Sequence, residues 1–261
     1  MMTELVLLEV ADRVATITLN RPDARNALNG DLLDALTSTV AAMDADDGVD
    51  VLVLTGADPA FCAGLDLKAV AAGDKRLMET APTSDMPVPD RGPFGTVDKP
   101  LIGAVNGFAI TGGFEIALAC DFLIASENAR FADTHARVGL QPWWGLSVLL
   151  PQAIGVRRAR QMSATGNFID ARTALEWGLV NQVVPHADLL GVARRLAADI
   201  VSGNQAAVRR ILKTYAENEL LDGHDSWLNE SAVAEAWVSG GQVTDLEANR
   251  RAVIARGREQ A

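Results

Sequence analysis

The sequence predicts an α/β fold made of repeated strand–turn–helix units, and three observations point to it. Short apolar runs bounded by turn residues recur through the first two thirds of the chain, several of them followed by helical periodicity. At two of these junctions glycine and other small residues mark the passage from strand to helix, in CAGLDLK and in ITGGFEIAL. Beyond residue 187 the pattern is helical, with apolar stripes and no further strand.

In chain order, residues 5–10 and 14–19 are two strands separated by Ala11-Asp12-Arg13, as in a hairpin. A proline-containing loop then leads into an amphipathic helix over residues 30–43, which stops at an acidic, glycine-containing turn. Residues 50–55 are a buried strand. The loop after it places Ala63, Gly64 and Leu65 ahead of a short helix, leaving backbone N–H groups open to a ligand. Residues 71–98, rich in Asp, Thr, Pro and Gly, have no periodicity and read as a variable loop or lid. Residues 101–105 form another buried strand, closed at Asn106-Gly107, and a helix begins near Thr111. Helical pattern resumes beyond residue 149, covers 168–177 and stops at Gly178. Residues 180–184 are the last strand, and helices follow at 189–201, 204–219, 226–238 and from 244.

A chain of 261 residues buries a large core, which the pattern divides into a core over residues 1–200 and a helical region over 201–261. The formal net charge of −11 argues against a nucleic-acid partner, because most of the surface would repel a phosphate backbone. The two cysteines, Cys62 and Cys120, lie in apolar contexts without metal-like spacing, which fits a reducing compartment. With no membrane-span-length apolar run and no leader pattern, the expectation is a soluble cytoplasmic protein without membrane insertion.

Chemistry concentrates between Lys99 and Asp121. Gly112 and Gly113 have no side chains to shield the N–H groups that open the helix, which is the outline of an oxyanion site. Glu115 follows three residues later on the same face and is the only charged side chain within this stretch. Burying a carboxylate among Phe114, Ile116, Ala117 and Leu118 is costly unless it serves a purpose. The plainer alternative is that the glycines permit close packing and Glu115 lies half exposed.

The motifs NRPDARNAL, AFCAGLDLK, IGAVNGFAITGGFEIALACDFLIAS, ARFADTHARVGLQP and TGNFIDARTALEWGLVNQVVP together resemble the crotonase, or enoyl-CoA hydratase/isomerase, family over essentially the whole chain. The resemblance implies a crotonase-type ββα spiral core with a C-terminal helical region. It implies that the N–H groups of Leu65 and Gly112 receive a thioester carbonyl. It also implies that Arg25, Ala27, Ala63 and Leu67 line the coenzyme A moiety, with Lys68 either near its phosphates or simply in solvent. Typical hydratases of the family use two glutamates. Glu115 matches the first, and the position of the second, twenty residues on, holds His135. An imidazole, with an ordinary pKa of about 6.5, can also hold or pass a proton near neutrality. His186 and His224 fit no motif and are expected in solvent.

Trp143 occupies a position where the family commonly has glycine; turned inward it would shape the acyl pocket, and turned outward it would be a surface aromatic. The reaction implied is hydration of a 2-enoyl-CoA thioester to the 3-hydroxyacyl-CoA. The alternatives are another acyl-CoA reaction of the scaffold (isomerisation, hydrolysis or decarboxylation) or an acyl-CoA-binding protein with little catalysis. No ligand cluster or dinucleotide fingerprint occurs in the sequence, so no cofactor is expected beyond the coenzyme A of the substrate. The apolar stripes of the last helices, together with the resemblance, imply a homo-oligomer, a trimer or a dimer of trimers. The tail VIARGREQA lacks the Phe and Lys that often reach a neighbour's coenzyme site in this family.

Overall fold

The computed structural model describes residues 4–74, 76–79 and 92–241. Much of the loop expected at 71–98, and the helix expected from 244, lie outside the described residues.

The chain opens with a hairpin of β1 (Val6–Ala11) and β2 (Val14–Leu19), paired from Val6 opposite Leu19 to Ala11 opposite Val14. Asp12 and Arg13 turn it with positive φ angles of 51° and 64°, the backbone that matches the twist of a tight hairpin. Helix α1 (Gly30–Ala45) starts where the Asn29 side chain accepts the Leu32 N–H at 3.0 Å, and it buries Leu32, Leu33, Leu36 and Val40 on one face.

From there the chain repeats one pattern three times. Strand β3 (Val51–Gly56) leads to β4 (Ala60–Cys62) and α2 (Leu67–Ala71). Strand β5 (Leu101–Val105) leads to β6 (Phe108–Ile110) and α4 (Gly112–Leu118), with the short α3 (Arg76–Glu79) lying between the first repeat and the second. Strand β7 (Phe122–Ser126) leads to β8 (Arg130–Ala132) and α5 (His135–Val138). The rest is α6 (Leu146–Ile154), α7 (Val156–Thr165), β9 (Ile169–Asp170), α8 (Ala171–Trp177), β10 (Gln182–Val184), α9 (Leu189–Val201), α10 (Gln205–Asn218) and α11 (Gly223–Ser239).

The first strand of each repeat joins a six-stranded sheet of order β1-β2-β3-β5-β7-β10, parallel except for the hairpin. The second joins a four-stranded sheet of order β4-β6-β8-β9, in which only β8 and β9 run antiparallel. The expected ββα spiral is this arrangement. Reading one strand per unit therefore missed β4, β6 and β8, each three residues long and too short to show a period of its own. Likewise residues 169–170 pair with β8, so the helix expected from 168 begins at Ala171.

The central strands β3 and β5 of the six-stranded sheet are buried on both faces. Leu52 and Leu54 of β3 face Leu32, Leu33 and Leu36 of α1, whereas Val51 and Val53 face Val192, Ala193 and Ala197 of α9. This is why β3 reads as an unbroken apolar run rather than an alternation. The chain forms two compact units that divide between Arg209 and Arg210, within the length of α10. In the second unit Tyr215, Leu220, Trp227, Leu228 and Val238 are all more than half exposed.

Candidate active site

Two turns place two backbone N–H groups side by side. Leu65 forms an isolated parallel bridge with Leu28: the Leu28 N–H donates to the Gly64 carbonyl and the Asp66 N–H to the Leu28 carbonyl, both at 2.8 Å. The N–H of Leu65 therefore points the other way. Gly64 makes the turn with a φ of +91°, and a methyl carbon there would stand 2.7 Å from the Ile110 carbonyl and 3.5 Å from the Gly112 nitrogen. On the opposite side, Thr111 adopts φ 53° and ψ −115°, a backbone that a β-branched residue rarely takes. Its N–H donates to Ala132 of β8 at 2.9 Å and its hydroxyl is hydrogen-bonded to that of Thr134. This held strain sets the direction in which the Gly112 N–H opens. Among the described residues neither the Leu65 nor the Gly112 N–H meets an acceptor. Gly113 answers to packing instead, since a methyl carbon on it would lie 2.1 Å from the Cys62 carbonyl oxygen of β4.

Glu115 stands one turn along α4 and is 2% exposed, so the plainer alternative of a half-exposed carboxylate does not hold. Its Oε1 accepts the backbone N–H of Trp143 at 3.1 Å and of Trp144 at 2.7 Å. Its Oε2 lies 3.5 Å from Nε2 of His135, itself 5% exposed. The other ring nitrogen of His135, Nδ1, is 2.7 Å from Oδ1 of Asp133, and the same oxygen accepts the His135 backbone N–H at 3.1 Å. Burial disfavours charge on the imidazole, but hydrogen bonds to Asp133 and Glu115 and the pull of their charges outweigh it, and its pKa rises to about 9. Asp133 is also buried, yet the bonds from His135 and from the Ser163 hydroxyl hold its carboxyl below the usual range.

Glu115 and His135 open onto a cavity of about 220 Å³ bordered by Leu65, Leu77, Leu140 and the two tryptophans. Trp143 is 48% exposed at its rim. The ring that reaches inside is Trp144, 3% exposed and within 3.3 Å of where a Gly112 methyl would be. A carboxyl group and an imidazole thus face one small space that Leu65 also borders, with the Gly112 turn beside it. Such a set can stabilise an oxyanion and move protons on either side of it.

A profile of the family described as enoyl-CoA hydratase/isomerase matches residues 9–254. The chain belongs to this family. It is 40% identical over 248 residues to a probable peroxisomal enoyl-CoA hydratase of Arabidopsis thaliana, covering 94% of this chain and 90% of the relative. It is 38% identical over 208 residues to the short-chain-enoyl-CoA hydratase of Clostridium acetobutylicum, covering 78% of each. Among solved structures, an enoyl-CoA hydratase from Mycobacterium avium superposes with a TM-score of 0.75 at 49% identity, over 92% of this chain and all of that one.

The two segments that the resemblance assigns to coenzyme A are tied to each other. The Leu28–Leu65 bridge and the Ala63 N–H, which donates to the Arg25 carbonyl at 3.0 Å, fasten the segment carrying Arg25 and Ala27 to the one carrying Ala63 and Leu67. Arg25, Leu67 and Lys68 are exposed there, Ala27 and Ala63 half-buried. Two organisers of this surface went unread in the sequence. Asn26, fully buried with φ 55°, donates to the Ala57 and Ala60 carbonyls, and Arg21 binds both Asp66 at 2.8 Å and the Ala27 carbonyl. Asp133 was missed as well; the Asp-x-His spacing inside FADTHARVG was its one local signal. His224 is exposed as expected, but His186 is half-buried and bonded at both nitrogens.

Proposed function

We propose that this chain is an enoyl-CoA hydratase that adds water across the 2,3 double bond of a short 2-enoyl-CoA thioester, with Glu115 and His135 as its acid/base pair. The thioester oxygen accepts from the Leu65 and Gly112 N–H groups, which stabilise the enolate as it forms. Glu115, fixed by two backbone N–H groups, acts as the base that takes a proton from a water attacking the β-carbon. His135, cationic at neutral pH, gives the proton of Nε2 to the α-carbon. The proton gained by Glu115 returns to His135 across their 3.5 Å contact, and both groups regain their starting states. The observation that carries this reading is that contact, made inside a cavity beside two N–H donors that meet no acceptor among the described residues.

The small cavity supports a short acyl group, as does the likeness to a short-chain-enoyl-CoA hydratase. Arg25, Ala27, Ala63, Leu67 and Lys68 are proposed as the coenzyme A surface and Trp143 as the rim of the acyl pocket. No cofactor enters the scheme. The large apolar side chains exposed on α10 and α11 support assembly into a trimer or a dimer of trimers. Among the described residues no helix is long and apolar enough to cross a membrane, and buried Cys62 and Cys120 support a reducing compartment such as the cytoplasm.

The test is loss of enoyl absorbance with crotonyl-CoA and longer 2-enoyl-CoA thioesters, followed by product mass. A product heavier by one water, formed by the native chain and lost in Glu115→Gln and His135→Ala, is the expected result. A product of unchanged mass would make the reaction an isomerisation, which Glu115 alone can shuttle. Tight binding without turnover would instead mark an acyl-CoA binder.

A further inference from the structure

His135 does not choose its own orientation, because Asp133 grips it twice, by the ring Nδ1 and by the backbone N–H two residues on. We infer that Asp133 is a positioning residue of the reaction, fixing His135 as an imidazolium whose Nε2–H faces Glu115 and the cavity. The kinetic part of this inference rests on the hydratase reading above; the structural part does not.

The argument is one of donors and acceptors. Asp133 as a carboxylate is an acceptor alone, so Nδ1 must carry a proton to meet it at 2.7 Å. A neutral ring protonated at Nδ1 would turn a bare Nε2 lone pair toward the Glu115 carboxylate at 3.5 Å, acceptor against acceptor, in a site nearly closed to solvent. Protonating Nε2 turns that repulsion into attraction. The charged groups that act on the ring are Glu115 from α4 and Asp133 from the segment before α5. Helix α7, packed against α5, contributes the uncharged Ser163 hydroxyl, which bonds Asp133 rather than the ring. Arg137, on α5 itself, is turned to the Thr165 carbonyl at 2.8 Å. The raised pKa of His135 agrees with the geometry.

The experiment uses nitrogen-15 histidine labelling of the native chain and of Asp133→Asn, a variant that keeps the shape and removes the charge. The His135 signal is assigned by its absence in His135→Ala. In the native protein both ring nitrogens are expected to be protonated at neutral pH, with titration near 9. In Asp133→Asn the titration is expected to fall by more than one pH unit, about tenfold in proton affinity. The alkaline limb of kcat for crotonyl-CoA should move down with it, while KM changes less than about threefold. A native His135 that is neutral at pH 7 overturns the inference without any variant, even if Asp133→Asn fails to fold. An unmoved titration, or a moved titration with an unmoved alkaline limb, also overturns it. A native chain that turns over none of the thioesters refutes the hydratase reading instead, and the nitrogen titration still decides the role of Asp133 in fixing the ring.

Discussion

The molecule holds two histidines bonded at both ring nitrogens, and they come to different ends. At His135, Asp133 takes Nδ1 and Glu115 faces Nε2. At His186, Ser126 Oγ meets Nδ1 and Asp58 Oδ2 meets Nε2, each at 3.0 Å, while Asn106 donates to the other Asp58 oxygen at 2.9 Å. Ser, His and Asp in one chain of bonds would suggest a nucleophile. Yet Ser126 is 0% exposed and its hydroxyl already accepts the Asn128 N–H at 3.0 Å. The second chain is a clasp, joining the β3–β4 loop to the ends of β7 and β10. The first adjoins a cavity and two open backbone donors. What separates a site from a clasp is access and a place for developing charge, not the residue types in the chain of bonds.

The largest expected effect therefore belongs to the carboxylate at the cavity. Glu115→Gln keeps the shape and the two tryptophan N–H contacts on one oxygen but removes the base. General acid/base groups contribute roughly 10²–10⁴-fold, and a loss of that size in kcat for crotonyl-CoA is expected. His135→Ala should fall in the same range, and His186→Ala should stay within about twofold of the native rate. Comparable losses in His135→Ala and His186→Ala would erase the distinction between site and clasp.

The next effect is on stability. Gly113 lets α4 sit against β4, and a methyl there would lie 2.1 Å from a backbone oxygen that has no rotamer to move. Overpacking of this kind costs about 1–3 kcal/mol or more. Gly113→Ala is therefore expected to lower the melting midpoint by several degrees, and the shift in α4 should also reduce kcat. An unchanged melting curve would show that the helix is not fixed by this contact.

The pH dependence of stability should also bear the mark of His135. A histidine whose folded pKa is raised lends stability that is complete below its unfolded value of about 6.5 and fades as pH rises through about 9. The expected change is a loss of up to roughly 3 kcal/mol in unfolding free energy between about pH 6 and about pH 10, reduced in His135→Ala. Denaturant titrations at the two pH values measure it. Equal pH dependence in the native chain and in His135→Ala would mean that the ring is not held charged.

How much of this was legible follows from what each signal depends on. The buried strands β3 and β5, the capped helix α1 and the glycine turns at Gly64 and Gly112 carry local signatures, and they were readable. So was Glu115, as a lone charge in an apolar helix. The strands of the second sheet were not, because three residues define no period and exist only through pairing with neighbours far along the chain. His135 was readable as the side-chain partner of Glu115, but its backbone partners were not: Trp144 reaches it through its N–H from 29 residues away, which no side-chain pattern records. For Trp143 the sequence left inward and outward open, and the neighbouring Trp144 took the inward place. His186 was read as a solvent residue because its partners, Ser126 and Asp58, lie 60 and 128 positions from it.

The smallest effect tests the clasp itself. His186→Ala removes two hydrogen bonds that are partly open to water, at about 1 kcal/mol each or less. Ser126 keeps the Asn128 N–H and Asp58 keeps Asn106, so neither is left without a partner. A fall in melting midpoint of a few degrees, with kcat and KM near native, is the expected outcome. His186→Asn can still bond one neighbour, and it should recover part of the loss. If instead the melting curve is untouched while KM for the thioester rises, the β3–β4 loop is being held for the substrate rather than for the fold. The second histidine would then be an outlying part of the site, and the contrast between the two would be one of distance from the reacting atoms rather than of kind.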